Sequence, residues 1–215
     1  MENKLQKGLS LLGFADNKIP TLESKLNAYI KELRLFNSAY NLVNTDDYDE
    51  LVVNHILDSL SAYNEIALLA KNFENPVIAD IGSGGGLPGI PLSIVAEDLQ
   101  FTLIERMSKR CAFLENVKAI LSLSNVTIQN LEAEKVPSGS IDIAVFRAFR
   151  PLDNKMTKTL LALLSPNGKL AAYKAKKDKI AEEMNAISNL VKSYEVKKLE
   201  VPFLDDRERN LVIIN

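Results

Sequence analysis

The chain has 215 residues, of which 47% are hydrophobic, with a formal net charge of −2, one cysteine and one histidine. This composition can bury a core, and it excludes an intrachain disulfide and a zinc site, since neither can be built from Cys111 and His55 alone. There is no apolar run of about 18 residues and no overall positive charge, so we expect a soluble, cytoplasmic protein with no membrane partner and no global attraction to nucleic acid.

Residues 1–72 are predicted to form a helical extension. Apolar side chains recur at steps of three and four residues from Pro20 onward, and again between residues 46 and 72, as is typical of amphipathic helices. From residue 76 the chain alternates short apolar runs with amphipathic stretches, which indicates βαβ units. We therefore predict the extension followed by a Rossmann-like domain, 73–215, in one structural unit.

Seven apolar runs are predicted to be strands. The first five alternate with helical stretches and read VIADI, LQFTLIE, NVTIQN, IDIAVF and GKLAAYK. The last two, SYEVKKLEV and NLVIIN, are separated only by a short turn-rich segment, so an antiparallel hairpin is expected there. A mostly parallel, doubly wound α/β sheet that ends in such a hairpin resembles the class I S-adenosylmethionine-dependent methyltransferase fold.

A glycine-rich loop follows the first predicted strand, in the stretch DIGSGGGLPGIPLSI. Glycines let the backbone turn sharply and let a ligand approach closely, and the start of the following helix offers free amides. From Gly84 the loop fits the dinucleotide pattern G-x-G-x-x-G, whereas from Gly82 it reads G-x-G-x-G. Gly82, Gly84 and Gly86 are predicted to bind a cofactor.

Two acidic residues bear on which cofactor the loop binds. Glu105 ends the second strand, where a carboxylate can accept hydrogen bonds from both hydroxyls of a ribose, in NAD and in S-adenosylmethionine alike. Asp80, near the end of the first strand, would repel a pyrophosphate but would suit the ammonium group of a methionine moiety, directly or through water. The strand ends at Ile81, so Gly82 is the first turn residue. Asp80 and this register favour S-adenosylmethionine over NAD.

Several motifs follow one another in an order that is similar to one family. FNSAYNLV, HILDSL, DIGSGGGLPGIPLSI, LIERMSKRCAFL and VFRAFRPL resemble the small-subunit (16S) ribosomal RNA methyltransferase G family, also called glucose-inhibited division protein B. The resemblance extends from Phe36 to the C-terminal RERNLVIIN. It implies methyl transfer from S-adenosylmethionine to N7 of a guanine in a 16S rRNA loop near the decoding centre, and we expect a monomer.

The resemblance also implies site residues. The cofactor contacts that it carries over are Gly82, Leu87, Ala133, Glu134 and Arg147. Glu105 would bind the ribose, and Ala133 with Glu134, which follow the third strand, would meet the adenine edge. Asn54 departs from the family pattern, because a basic residue is common before HILDS.

The single histidine is predicted to pack or to hydrogen-bond, shaping the pocket with Asp58, rather than to act as a base. Guanine N7 has a lone pair and no proton, so its methylation needs no base. Catalysis is then mainly the positioning of N7 in line with the sulfonium methyl, and Arg147 is the predicted positioning residue. Cys111 lies early in a helix and is predicted to be a small core residue rather than a nucleophile.

A rim of basic residues is predicted to contact RNA phosphates. Its members are Lys109, Arg110, Arg150, Lys174, Lys176 and Lys177. The run YKAKKDK is equally typical of a solvated helix start, and both interpretations stay open for that segment. Because the net charge is slightly negative, a partly assembled small ribosomal subunit is a better predicted substrate than naked 16S rRNA.

Two other functions stay open at the level of sequence. In a small-molecule methyltransferase, the helical extension would form a closed apolar lid, whereas an RNA enzyme would leave the crevice open under a basic rim. In a non-catalytic RNA-binding assembly factor, the cofactor pocket would persist without methyl transfer.

Overall fold

A seven-stranded sheet lies at the centre of the computed structural model, which describes residues 3–148 and 151–215. The strands are β1 (Val77–Ile81), β2 (Gln100–Ile104), β3 (Val126–Gln129), β4 (Ile141–Arg147), β5 (Leu164–Lys174), β6 (Tyr194–Lys198) and β7 (Asn210–Ile214). Their order across the sheet is β3-β2-β1-β4-β5-β7-β6. All seven coincide with the predicted apolar runs to within a few residues.

The sheet is parallel except for one strand. β1 pairs in parallel with both β2 and β4, and β7 pairs antiparallel with β5 and β6. The predicted fold, mostly parallel with an antiparallel C-terminal hairpin, is confirmed. Because the strand order reverses between β1 and β4, the carboxyl ends of these strands border the crevice in which doubly wound proteins bind ligands.

Helices cover both faces of the sheet. The helices of the extension are α1 (Lys4–Leu11), α2 (Ile19–Tyr40), α3 (Tyr48–Leu51), α4 (Asp58–Leu60) and α5 (Tyr63–Ala70). Those that follow are α6 (Gly89–Val95), α7 (Ser108–Leu121), α8 (Asn154–Leu163) and α9 (Lys177–Ala186), with a short 3₁₀ turn at Ala133–Lys135. Among these helices, none is both long and apolar enough to cross a membrane.

The segment between α3 and α4 differs from the simple helix that its periodicity predicts. Val52–Leu57 forms a π-helix, whose wider turn interrupts the α-helical pattern. Four of its residues stay buried and apolar, so the hydrophobic pattern is kept. Asn54 and His55 lie between the buried residues, and both contact Arg147 at the end of β4.

The core consists of one layer on each face of the sheet. Buried side chains of the extension, α6 and α7 form one cluster with Ile78 of β1, and those of α8 and α9 form another with the neighbouring Ala79. This alternation follows from the pleat, which directs successive side chains to opposite faces. The extension and the sheet therefore share a core, and a boundary near residue 72 stays a prediction.

Candidate functional site

A cavity of about 410 Å³ opens at the carboxyl ends of β1 and β2. Its volume lies within the range of about 300–1,000 Å³ that is usual for ligand pockets. The lining includes four residues predicted to bind a cofactor, which are Gly82, Glu105, Ala133 and Glu134. It also includes Arg106, Met107 and Ala148, which the sequence did not single out.

The glycine loop turns at the edge of this first cavity. The backbone amides of Gly82 and Ser83 both donate to the carbonyl of Ile104, over 2.8 and 3.1 Å, so the loop continues from the β1–β2 pairing. Gly82 and Gly84 have φ values of 71° and 57°, in the left-handed region that favours glycine. A Cβ at Gly84 would lie no closer than 3.8 Å to any neighbouring atom. Glycine is therefore favoured at this position by the backbone conformation and not by lack of space.

Glu105 is the buried carboxylate of the first cavity. Its side chain is only 4% exposed, and its two oxygens accept from the amides of Met107, over 2.8 Å, and Gly84, over 2.9 Å. Arg110 Nη1 lies 3.9 Å from Oε2. Because a carboxylate offers about four lone-pair sites, each oxygen can accept one further donor. The two adjacent hydroxyls of a ribose fit this remaining capacity.

Asp80 lies behind the loop and does not line the cavity. It is 1% exposed, and its Oδ2 accepts from the amide of Gly89 over 2.9 Å, at the start of α6. Burial raises the pKa of Asp80 to about 7, although the Gly89 amide opposes the rise. A Cβ at Gly89 would collide with Leu103 and lie 2.8 Å from the Asp80 carboxylate. The structure therefore shows Asp80 in contact with α6, not with the cavity.

Gly86 and Leu87 also lie outside the cavity lining. At Gly86, where φ is 89°, a Cβ would come within 2.6 Å of Ile90 and 2.9 Å of Leu114. Leu87 is 6% exposed and belongs to the core cluster shared with the extension. These two residues shape the loop from its rear side.

A second cavity, of about 300 Å³, opens at the carboxyl ends of β4 and β5. It is lined by Asp58, Phe146, Arg147, Ala148, Tyr173, Lys174, Ala175 and Arg209. Ala148 lines both cavities, so the two adjoin at the end of β4. Arg147, for which the resemblance implies a cofactor contact, thus lines the second cavity and not the first.

Groups from the helical extension hold Arg147. Its Nη1 donates to the carbonyl of Asn54, over 2.9 Å, and to Oδ2 of Asp58, over 2.8 Å. Its Nη2 lies 2.9 Å from Nδ1 of His55. Asp58 is buried, and Arg209 Nε lies 3.2 Å from its other oxygen. One carboxylate therefore lies between two guanidinium groups, which leaves a surplus of positive charge at the second cavity.

His55 is neutral in this arrangement. Burial, together with the neighbouring Arg147 guanidinium, lowers its pKa to about 4. Because a guanidinium only donates, Nδ1 of His55 accepts, and we assign the proton to Nε2. His55 therefore forms a hydrogen bond with Arg147 in the structure, which agrees with the predicted hydrogen-bonding role.

The predicted RNA-binding residues lie in different surroundings. Lys109, Lys176 and Lys177 are exposed, and Arg150 lies outside the described residues. Lys174 lines the second cavity and donates to Glu183 over 2.7 Å. Arg110 lines the first cavity, and its Nη2 donates to the carbonyl of Asn41 over 3.1 Å.

Cys111 is buried, and its thiol donates to the carbonyl of Glu105 over 3.1 Å. Burial raises the pKa of this thiol, which disfavours the reactive thiolate. Within residues 3–148 and 151–215, no group of three or more His, Cys, Asp or Glu side chains could hold a metal ion.

Comparison with known proteins assigns the chain to a family. A family model described as rRNA small subunit methyltransferase G matches residues 22–212. The chain belongs to this family. A ribosomal RNA small subunit methyltransferase G from Treponema denticola is 44% identical, over 98% of this chain and 92% of its own length. Another from Cellvibrio japonicus is 37% identical, over 100% of this chain and 94% of its own length.

Solved structures with the same fold are distant in sequence. A SAM-dependent methyltransferase from Aquifex aeolicus superposes with a TM-score of 0.54 at 17% identity, covering 87% of this chain and 97% of its own. A precorrin-6y C5,15-methyltransferase from Geobacter metallireducens gives 0.56 at 12% identity, covering 73% and 88%. These similarities show that this member of the rRNA small subunit methyltransferase G family has the class I methyltransferase fold.

Two features of the site in this family member could not be predicted from the sequence. Asn54, where a basic residue was expected, contributes its backbone carbonyl to Arg147, and its side-chain Oδ1 is buried without a partner in the described part of the chain. Arg209 reaches the second cavity because β7 inserts between β5 and β6. The only available signal for Arg209 was its place in the RERNLVIIN motif.

Proposed function

We propose that this chain transfers a methyl group from S-adenosylmethionine to N7 of a guanine in 16S rRNA. The observation that carries the proposal is the pair of adjoining cavities, one with a buried acceptor for a ribose, at Glu105, and one with a cationic lining, at Arg147. Membership of the rRNA small subunit methyltransferase G family supports the substrate class. We further propose a cytoplasmic monomer that acts on partly assembled small subunits.

The residues of the first cavity fit an adenosine-containing cofactor. Glu105 has one free acceptor site on each oxygen for the ribose hydroxyls, and Ala133 with Glu134 lies beside it for the adenine edge. Gly82 would let the ligand pass close to the backbone. When bound, S-adenosylmethionine supplies a methyl group on a positively charged sulfur. Asp80 would act from behind the loop, and a nearby ligand ammonium would favour its ionised form.

The second cavity fits a nucleotide of RNA. Arg147, Lys174 and Arg209 line it together with the single carboxylate of Asp58. Guanidinium groups hydrogen-bond well to phosphate oxygens and to the oxygen-bearing edge of guanine. The extension fixes Arg147 by three contacts, so this side chain can orient an incoming base without first being ordered.

In the proposed reaction, the protein positions the guanine base and does not need to transfer a proton. Guanine N7 would form the new N–C bond with its own lone pair as the bond from the methyl carbon to sulfur breaks, and S-adenosylhomocysteine would leave, so no proton transfer is needed. The neutral His55, with its Nδ1 engaged by Arg147, is consistent with this. Arg147 would orient the base, and correct orientation of the reacting groups accounts for a large part of the rate acceleration in such reactions.

The two rival functions differ in structure and in products. The extension packs into the core shared with the sheet, and the linings of both cavities carry charged side chains, which argues against a closed apolar lid for a small molecule. An assembly factor without catalysis would bind the cofactor and yet transfer no methyl group.

The test is methyl transfer from labelled S-adenosylmethionine to small ribosomal subunits prepared without this modification. We expect label in the 16S rRNA of subunits, with less transfer to naked 16S rRNA. Cofactor binding with no label on either substrate would favour the assembly factor. No transfer to subunits, but transfer to a small-molecule extract, would favour the small-molecule enzyme.

A further inference from the structure

The helical extension reaches the glycine loop through a buried tyrosine. Tyr29 of α2 is fully buried, and its hydroxyl donates to the carbonyl of Gly85 over 2.5 Å. Burial raises the pKa of Tyr29 well above its ordinary value, so the phenol keeps its proton and remains a donor. This contact joins two segments that are 56 residues apart in the chain.

The loop is therefore held from two sides. On the cavity side, the amide of Gly84 donates to the Glu105 carboxylate over 2.9 Å. On the other side, the next residue, Gly85, accepts from Tyr29, and a Cβ placed on Gly85 would lie 3.3 Å from Leu33 and from Leu42 of the extension. Neighbouring residues of the loop are thus fixed by the carboxylate proposed to bind ribose and by the helical extension.

We propose that Tyr29 is a positioning residue for cofactor binding, which holds the glycine loop in the conformation that joins Gly84 to Glu105. The inference rests on the proposed cofactor, S-adenosylmethionine. Tyr29 does not touch the cavity, so it acts only through the loop. The extension is then part of the apparatus that sets cofactor affinity.

The expected effect follows from the loss of one buried hydrogen bond. Without the hydroxyl, the carbonyl of Gly85 loses its donor, and the loop gains access to conformations in which that carbonyl finds another partner. The apparent Kd rises by the inverse of the fraction of chains that keep the competent loop. A loop that is competent about one tenth of the time gives a Kd raised about tenfold.

The experiment compares Tyr29→Phe with a matched control, Tyr48→Phe. Tyr48 lies in the same extension and donates to Asn27 Oδ1 over 2.6 Å, so its variant also loses one hydroxyl hydrogen bond. Calorimetry with S-adenosylmethionine and with S-adenosylhomocysteine should give a Kd about tenfold higher for Tyr29→Phe. The control should bind like the wild type. At saturating cofactor, kcat and the KM for subunits should be unchanged in both variants.

A second variant tests the contact between Tyr29 and Gly85 by changing the loop residue. Gly85→Ala places a methyl group against Leu33 and Leu42, on the side away from the cavity, and should raise the cofactor Kd in the same direction. A folded Tyr29→Phe chain with the wild-type Kd would overturn the inference. If Tyr29→Phe does not fold, an unchanged Kd in Gly85→Ala overturns it instead. A wild-type chain that binds no S-adenosylmethionine would show that the proposed cofactor itself is wrong.

Discussion

Nη2 of Arg147 lies 2.9 Å from Nδ1 of His55, and the two groups face each other as donor and acceptor. The pKa of His55 is lowered to about 4, first by burial and then by this guanidinium, so the imidazole is neutral at physiological pH. The single histidine of the chain thus supports an arginine at the end of β4, and its Nδ1 lone pair is already engaged.

His55→Gln is expected to keep most of its turnover, because the glutamine oxygen can still accept from Arg147 and no proton needs to be removed from guanine N7. The rate of methyl transfer should also show no rise with pH near 4, the lowered pKa of His55, or near 6.5, the ordinary pKa of histidine. Steady-state kinetics from about pH 4 to about pH 8 would measure both. A well-folded variant slowed by much more than about a hundredfold would show that His55 acts as a base.

His55 and Asp80 should have opposite effects on the pH dependence of stability. The pKa of His55 falls from 6.5 to about 4, so its contribution is fully present above pH 6.5 and is lost as the pH falls toward 4. The pKa of Asp80 rises from 3.8 to about 7, so its contribution is present below pH 3.8 and is lost as the pH rises toward 7. Between pH 4 and 6.5 the two trends oppose each other.

Single variants should reveal the two trends separately. The free energy of unfolding of His55→Gln should fall as the pH rises from about 4 to 7, because only the Asp80 effect remains. In Asp80→Asn it should rise between about pH 4 and 6.5. Urea unfolding of both variants and the wild type at several pH values is the measurement. Identical pH profiles for all three chains would contradict the two shifted pKa values.

Arg147→Ala is expected to lower kcat for methyl transfer by about a hundredfold, because a misplaced reacting group costs about that factor. Its Kd for S-adenosylmethionine should stay near the wild-type value, since Arg147 lines the second cavity and not the first. Arg207→Ala, whose side chain is 57% exposed, is the control and should behave like the wild type. Weakened cofactor binding in Arg147→Ala, with a normal rate at saturation, would instead support the cofactor contact implied by the resemblance.

Glu105→Gln should weaken S-adenosylmethionine binding about tenfold to a hundredfold, the usual loss for one hydrogen-bonding group with a charge. The amide that replaces one oxygen would also face the backbone N–H of Gly84 or Met107, donor against donor. Calorimetry with S-adenosylmethionine measures the loss, and NAD, tested alongside, should not bind to either protein. Equal cofactor affinity in a folded variant would place the binding site elsewhere.

Much of the fold could be predicted because its signals are local. Most strands contain a short apolar run, and the short connection between β6 and β7 favours a hairpin. The glycine loop and Glu105 also follow from local patterns, since both come directly after a strand. Their meeting at the first cavity follows from the parallel pairing of β1 and β2.

The rest of the site depends on distant contacts that no local pattern contains. Asp80 and Ile81 are neighbours in β1, but the pleat sends them to opposite faces, so only Ile81 lines the first cavity. The π-helix at Val52–Leu57 has the same apolar pattern as an α-helix. Its contacts with Arg147 join residues 92 and 93 positions apart, which only the folded chain brings together.

The most direct test of the proposed function is to identify the methylated base. After reaction with small subunits that lack the modification, the 16S rRNA is digested to nucleosides and analysed by chromatography and mass spectrometry. We expect a single new product, 7-methylguanosine, which requires the wild-type enzyme and S-adenosylmethionine. A methyl group on an exocyclic amine, a ring carbon or a ribose oxygen would contradict it, because those targets bear a proton that must be removed by a base.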